Sequence, residues 1–569
     1  MKFLRILVVI FALAYQAGWA AQLQINITGV SGAILTNIEN KLQAEKKALD
    51  SNGLTTNDIH HFYYDAPNNI IAATSPFGYF KPEITSSLRY LNKIWVANFK
   101  IQLGHPIIIT QVDLQLTGAG AQDPVFKALI KNFPLKTNQV LNTELYEKEK
   151  DSFFNTASEY GYFKAKMLEN RIEIDLHNYQ AVIHLHFYTG PRYQFGETVF
   201  SAAPYSTKLL QRFLPYQQGQ YFNNDRIQQL QQDLSNSTFF SQVTVSPAPP
   251  QPHSLEVPIT IQITPRPARE YAFGAGYGTD TGLRGLASIN FNRLTRSGHQ
   301  LTTSLQLSQV NSYGHIQYSI PGKYPAFQKY LFSADINNYD LPIGKSKSAT
   351  LGAGYQTQLG NWQQIFMLNW LKERYNLPTV STTSTYMLYP SISWNYLQFN
   401  DPTRPTKGIN VQLSAAGSQQ SLGSQTSFFQ IQGEVKTLFT ILENNRFLLR
   451  GQAGYTLIND INSLPLSLQL LAGGAASIRG YSFHSLGPGT FLLVGSAEYQ
   501  RRIYGDWYLA LFYDTGSVSN SFDFNQFYSG VGPGIVWLSP VGALELTFAK
   551  ALNRPGKPWC IQFNMGPLL

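Results

Sequence analysis

The sequence predicts three α+β repeats followed by a sixteen-stranded antiparallel β-barrel that spans a membrane. Three observations carry this expectation. The composition is rich in aromatics and poor in charge. The first half repeats itself about every 80 residues, and the second half alternates apolar and polar side chains with a period of two.

Composition sets the compartment. The chain is 43% hydrophobic and 14% aromatic, with 33 Tyr and 36 Phe, and only 14% charged, against about 25% in ordinary soluble domains. The opening segment MKFLRILVVIFALAYQAGWA (1–20) carries Lys2 and Arg5, an apolar run from Ile6 to Ala14, and small residues at Gly18 and Ala20. That is the pattern of a secretory signal cleaved after Ala20. No later run of about 18 apolar residues follows, so a crossing by helix is not expected. An exported, aromatic-rich, charge-poor chain without such a helix fits a β-barrel of the cell outer membrane, with its N-terminal part in the periplasm. The net charge of +9 forms no basic stripe for nucleic acid. The single cysteine, Cys560, closes no disulfide and offers no zinc spacing.

Three segments of the first half share one grammar. GYFKPEI at 78 leads into VANFKIQLGHPIIITQVDL, GYFKAKM at 161 into AVIHLHFYTGPRYQFGETVF, and TFFSQVTV at 238 into VPITIQITPRPAREYAFGAGYG. Each has a turn, a strand, a polar turn and a strand ending near Gly or Pro, with a helical stretch ahead. In NDRIQQLQQDLS (224–235), for example, Ile227, Leu230 and Leu234 share a helix face. The expected division is a signal at 1–20, repeats at 21–103, 104–190 and 191–267, and the barrel at 268–569. The first repeat is the least regular.

In the barrel region Phe429, Ile431, Gly433 and Val435 point one way, and Gln430, Gln432, Glu434 and Lys436 the other. Sixteen such segments begin near 269, 282, 298, 313, 328, 347, 361, 385, 407, 426, 446, 490, 507, 528, 541 and 557. An even count returns both barrel ends to the periplasmic side, and closure removes strand edges from lipid.

These features together resemble the BamA/TamA superfamily of outer-membrane assembly proteins, and three repeats rather than five resemble its TamA branch. The carrying motifs are GGAASIRGYSFHSLGP (473–488), LFYDTGSV (511–518), GVGPGIVWLSPVGALELTFA (530–549), DPTRPTKG (401–408) and FNMGPLL (563–569). The resemblance implies that the repeats are periplasmic POTRA domains of βααββ form. It implies that the R-G-Y loop folds back into the barrel and that the last strand pairs imperfectly with the first. It implies a translocation and assembly module that builds outer-membrane proteins such as autotransporters. The partner it implies is a TamB-like protein anchored in the inner membrane, docked on the POTRA domains. Acidic residues often found near the loop in that family are replaced here by Ala475 and Ala476.

The loop raises one chemical question: where the charge of Arg479 goes. A guanidinium inside a barrel needs a carboxylate or water. Asp514 alternates onto the polar face of LFYDTGSV, with Gly516 beside it, so a bidentate Arg479–Asp514 bond is expected to pin the loop. Gly480 lets the backbone fold back, and Tyr481 packs on the lumen wall.

The second feature is the barrel seam. The first strand YAFGAGYG contains Phe273, Gly274, Gly276 and Gly278, and its glycines weaken it. The last strand contains Trp559 and Phe563 and runs into Gly566-Pro567, where proline has no N–H for a ladder. A short seam there is expected to act as a lateral gate.

Other functions fit less well. D-T-G occurs at both Asp280 and Asp514, which evokes an aspartic protease, but only the second has an apolar lead-in. The glycines at 274, 276 and 278 precede no helix, and His60-His61 reads as a surface pair in a strand. No enzyme, cofactor or metal site is expected. A passive porin does not explain the repeats. A two-partner secretion exporter and a lipid conduit between membranes remain as alternatives.

Overall fold

The computed structural model describes residues 22–50, 54–201, 203–278, 281–378, 380–401, 404–521, 526–539 and 542–566. The expected signal, Asp280 and Pro567 lie outside the described residues.

The first repeat runs β1 (Gln22–Thr28), α1 (Gly32–Leu49), α2 (Thr56–Thr74), β2 (Glu83–Leu91) and β3 (Ile94–Gln102). A capping box starts α2: the Thr55 side chain accepts from the Asp58 backbone, and the Asp58 side chain accepts from the Thr55 backbone. Ile59, Phe62, Ala66 and Ile70 then line one face at helical spacing, and all are fully buried. They share a core with Ala97, Phe99 and Ile101, which alternate along β3. His60 and His61 therefore sit on a helix, not in the expected strand, and His60 packs edge-on against Trp95.

The second repeat runs β4 (Ile108–Thr117), α3 (Pro124–Lys131), α4 (Thr143–Glu159), β5 (Lys166–Asp175) and β6 (Gln180–Tyr188). The third runs β7 (Gln194–Phe200), α5 (Thr207–Gln211), α6 (Asn224–Asn236), β8 (Phe240–Pro247) and β9 (Glu256–Pro265). The sheet orders are β1-β3-β2, β4-β6-β5 and β7-β9-β8, so one βααββ topology occurs three times. In each, the last strand is central. Ile227, Leu230 and Leu234 are buried along α6.

The chain forms two compact units. One takes residues up to 199 with 216–228 and 246–259; the other takes 200–215, 229–245 and everything from 260 onward.

The barrel strands are β10 (Arg269–Gly278), β11 (Gly282–Phe291), β12 (Gln300–Ser308), β13 (Asn311–Pro321), β14 (Lys329–Leu341) and β15 (Gly344–Leu359). They continue with β16 (Trp362–Leu377), β17 (Val380–Phe399), β18 (Lys407–Ser418), β19 (Phe428–Ile441) and β20 (Asn445–Leu457). Two short strands, β21 (Leu470–Ala472) and β22 (Leu486–Gly489), pair with each other inside the next loop. The wall resumes with β23 (Phe491–Tyr504), β24 (Trp507–Ser519), β25 (Tyr528–Ser539), β26 (Gly542–Ala551) and β27 (Trp559–Gly566). β10 to β20 and β23 to β27 form one sixteen-stranded sheet in sequence order, antiparallel throughout.

Its two faces follow the expected alternation. On β19, Phe429, Ile431 and Val435 are exposed outward while Gln430 is buried. Aromatics meet across neighbouring strands beside the short turns: Phe439 opposite Phe447, Phe447 opposite Tyr499, and Trp507 stacked on Trp537. Such rows mark the membrane interface of barrels. Strand length varies around the wall. β15 and β16 have 16 residues each and β17 has 20, but β10 has 10 and β27 has 8.

The lumen loop and the seam as candidate functional site

The loop between β20 and β23 turns into the lumen, as its partners around the wall show. The Tyr375 hydroxyl donates to the Asn462 carbonyl at 2.9 Å, and Gln430 Nε2 donates to the Leu468 carbonyl at 2.9 Å. Glu373 on β16, buried, accepts from the Ser467 N–H at 3.1 Å, from the Ser467 hydroxyl, and from Ser346 Oγ at 2.7 Å. Arg450 on β20 donates to the Ser477 carbonyl. The loop is thus fastened to β16, β19 and β20 of the wall.

Its tip carries Arg479, buried with Ile478 and Tyr481. Arg479 Nε donates to Asp514 Oδ2 at 2.7 Å and Nη2 to Asp514 Oδ1 at 2.8 Å, a bidentate pair. The Arg479 backbone N–H donates to the same carboxylate at 3.0 Å. Nη1 also reaches Glu498 on β23, and Glu545 Oε1 on β26 at 2.9 Å. The guanidinium lies 3.6 Å from the centroid of the Phe512 ring. One cation therefore meets three carboxylates on three strands over an aromatic face. Asp514 is fully buried, and Ser496 Oγ donates to its Oδ1 at 2.6 Å. Charges this far from water persist only when paired and hydrogen-bonded.

Two glycines let the tip reach the wall. Gly480 has φ +92°, a conformation that side chains resist, and a Cβ there would press on Ala551. On β25, a Cβ at Gly530 would overlap the Arg479 carbonyl oxygen, so only hydrogen fits. Tyr481 packs T-shaped on Tyr528 within an apolar cluster that includes Val494 and Ala551. Gly516 lies on β24 two residues beyond Asp514, against Ile478.

The tip also touches the last strand. Gln562 on β27, buried, accepts from the Gly480 N–H at 3.2 Å and donates to the Tyr481 carbonyl at 3.3 Å. Sequence reasoning does not single out Glu498, Glu545, Gln562 or Glu373. Their signal is the same alternation that places Asp514: each sits on the polar phase of its strand.

D-T-G-S at Asp514 is not a catalytic turn. It lies within β24, paired on both sides, and its carboxylate is held by Arg479.

The seam lies between β10 and β27. These strands are the two ends of the sheet, and among the described residues no ladder pairing joins them. The two strands nonetheless lie beside each other, so the barrel is nearly closed. Among the described residues Gly274, Gly276 and Gly278 pair only with β11, at Leu286, Arg284 and Gly282. Phe273 (79% exposed) and Trp559 (62%) stand on the outer surface, while Phe563 is half-buried. The backbone of Gly566 pairs with Ala543 of β26.

The profile of the Omp85 superfamily domain matches residues 272–567, more than half of the chain. The chain belongs to the Omp85 superfamily. Within this Omp85 protein, residues 24–103 match "POTRA domain TamA domain 1", and residues 193–266 match the POTRA profile described as a surface antigen variable number repeat. The outer-membrane protein assembly factor BamA of Nitratidesulfovibrio vulgaris is 22% identical over 395 residues, 61% of this chain and 48% of that relative. The chain thus spans about half the length of that curated relative. Among solved structures, BamA of Haemophilus ducreyi lacking POTRA domains 1–3 aligns with TM-score 0.60 and 17% identity, over 80% of this chain and 99% of that one. CdiB of Acinetobacter baumannii aligns with TM-score 0.53 and 14% identity, over 94% and 99%. CdiB of Escherichia coli gives 0.53 and 13% over the same shares. This Omp85 protein is an outer-membrane β-barrel whose N-terminal POTRA domains belong to the periplasm.

Proposed function

We propose that this Omp85 protein inserts the strands of other outer-membrane β-barrel proteins, autotransporters among them, through a lateral gate between β10 and β27. The observation that carries this reading is the seam: one sheet whose two end strands lack a common ladder among the described residues. A backbone group left unpaired in lipid costs several kcal/mol, so an incoming strand that pairs with β10 is strongly favoured. The work is templated pairing, with no covalent step and no cofactor.

The loop fits this role as a clasp. Arg479 binds Glu545 on β26, and Gln562 on β27 holds the backbone of Gly480 and Tyr481. The tip thereby braces the last two strands, on one side of the gate. Liposomes carrying the full chain are expected to fold an added outer-membrane barrel precursor several-fold faster than empty liposomes. Equal rates would remove the insertase reading and leave export of a dedicated protein or lipid traffic in its place.

The TamA-type match of residues 24–103 supports the finer assignment: a module working with a TamB-like, inner-membrane-anchored partner docked on the first repeat. Deleting residues 21–103 should abolish co-purification of that partner while the barrel still reaches the outer membrane. Retained co-purification would place the docking surface elsewhere.

A further inference from the structure

The second repeat carries a feature that strand insertion does not use. Its central strand β6 buries Ala181, Ile183, Leu185 and Phe187 against the helices. The intervening His184 and His186 therefore project from the opposite, solvent-facing side of the sheet. Asp113 of β4 stands directly across from His184, and Glu169 of β5 directly across from His186. The chain thus gathers two imidazoles and several carboxylates on one rigid, three-stranded surface.

The geometry is ordered around one oxygen. Asp113 Oδ2 lies 2.7 Å from His186 Nε2 and 3.5 Å from His184 Nδ1. The ligand atoms of Asp113, His184 and His186 all lie within 4.8 Å of one another. Each imidazole has a second carboxylate at its far nitrogen: Glu169 Oε2 at 3.0 Å from His186 Nδ1, and Glu173 Oε1 at 3.8 Å from His184 Nε2. Arg171 holds both outer carboxylates, Nε to Glu169 Oε1 at 2.8 Å and Nη2 to Glu173 Oε1 at 3.0 Å.

Hydrogen bonding alone accounts for His186. His184 Nδ1 stands at the outer limit of hydrogen-bond range from the same Asp113 oxygen, so both rings converge on one atom. A metal ion explains both. Tetrahedral zinc with bonds of about 2.0–2.2 Å sets neighbouring ligand atoms roughly 3.3 Å apart, between the two separations found here. Carboxylates behind metal-bound histidines are the usual means of fixing ring orientation and raising ligand basicity. Two imidazoles and one carboxylate suit Zn²⁺, with Cu²⁺ and Ni²⁺ as competitors.

We propose that Asp113, His184 and His186 form a divalent transition-metal site on the outer face of the second repeat, with Glu169 orienting His186. The three ligands leave the fourth position to water. Bridging β4 and β6, the ion would staple the edge strand of that sheet to its centre.

The test uses the full chain, tag-free in detergent micelles, with Co²⁺ and Zn²⁺ as probes. One equivalent of Co²⁺ is expected to give the intense visible bands of a low-symmetry site, bleached by Zn²⁺ and by a chelator. His184→Asn, His186→Asn and Asp113→Asn should each weaken Zn²⁺ binding about ten-fold or more. His315→Asn and the His60→Asn/His61→Asn pair should leave it unchanged. Absence of the Co²⁺ bands in the unaltered chain would overturn the site, leaving an ion-pair network only. Equal binding by the His186→Asn variant would overturn it as well. The Co²⁺ spectrum of the unaltered chain decides between the two even if a variant misfolds.

Discussion

Replacing Arg479 with alanine is expected to release the lumen loop and abolish client insertion while the barrel still forms. The wall is held by its own ladders, so the tip is not needed to build the sheet from β10 through β27. Removing the guanidinium leaves Asp514, Glu498 and Glu545 facing one another without their shared cation, the first two buried. Breaking a buried pair in this way costs about 3–5 kcal/mol, which shifts the docked loop toward release by roughly 10²-fold to several thousand-fold. Limited proteolysis of the 473–489 segment and the rate of client insertion both report this shift. Arg479→Lys should rescue little, because a point charge cannot grip Asp514 with two donors while reaching both glutamates. Asp514→Ala should resemble Arg479→Ala, and the double variant should be no worse than either single one. If the two single effects simply add, to within about 0.5 kcal/mol, the residues act independently and the clasp is lost as an explanation.

Covalent closure of the seam is expected to stop insertion altogether. Cysteine pairs drawn from residues 271–277 of β10 and 559–563 of β27, in a Cys560→Ser background, can be screened for disulfide formation. Oxidised protein should insert clients no faster than bare lipid does, and reductant should restore the rate in the same sample. On the proposed mechanism substrate strands use the edge of β10 as a template, and a disulfide denies it to them. Insertion at the normal rate by a fully cross-linked barrel would mean that clients enter by another route.

The barrel is legible in the sequence because its chemistry is periodic. Sixteen segments are expected and sixteen wall strands are present, since lipid on one side and a polar lumen on the other enforce alternation residue by residue. Asp514 can be placed from the same phase. Glu498, Glu545, Gln562 and Glu373 obey it too, but phase alone says that a side chain faces the lumen, not which loop atom it meets. That depends on how the 458–490 segment crosses the interior, a tertiary matter. Local signals mislead at His60-His61, where β-branched and aromatic neighbours and Pro67 argue against a helix. The Thr55–Asp58 capping box is the decisive cue. In the second repeat, H-L-H on β6 is the better histidine pair: alternate residues of a strand share a face and neighbours do not. The weak seam is legible in part: the β10 glycines and Gly566-Pro567 foretell a short junction, but that no ladder joins the end strands among the described residues depends on how the sheet curls.

The uneven wall has a consequence for the surrounding lipid. At about 3.3 Å per residue and a tilt near 40°, the 8 described residues of β27 span roughly 20 Å of membrane height, less than the ~25 Å apolar band of outer-membrane barrels. The 16–20 residues of β15 to β17, on the far side, overspan it. Acyl chains bordering β27 must therefore compress or tilt to avoid exposing themselves to water. If clients enter at the seam as proposed, they meet a thinned bilayer there and a lower barrier to burial.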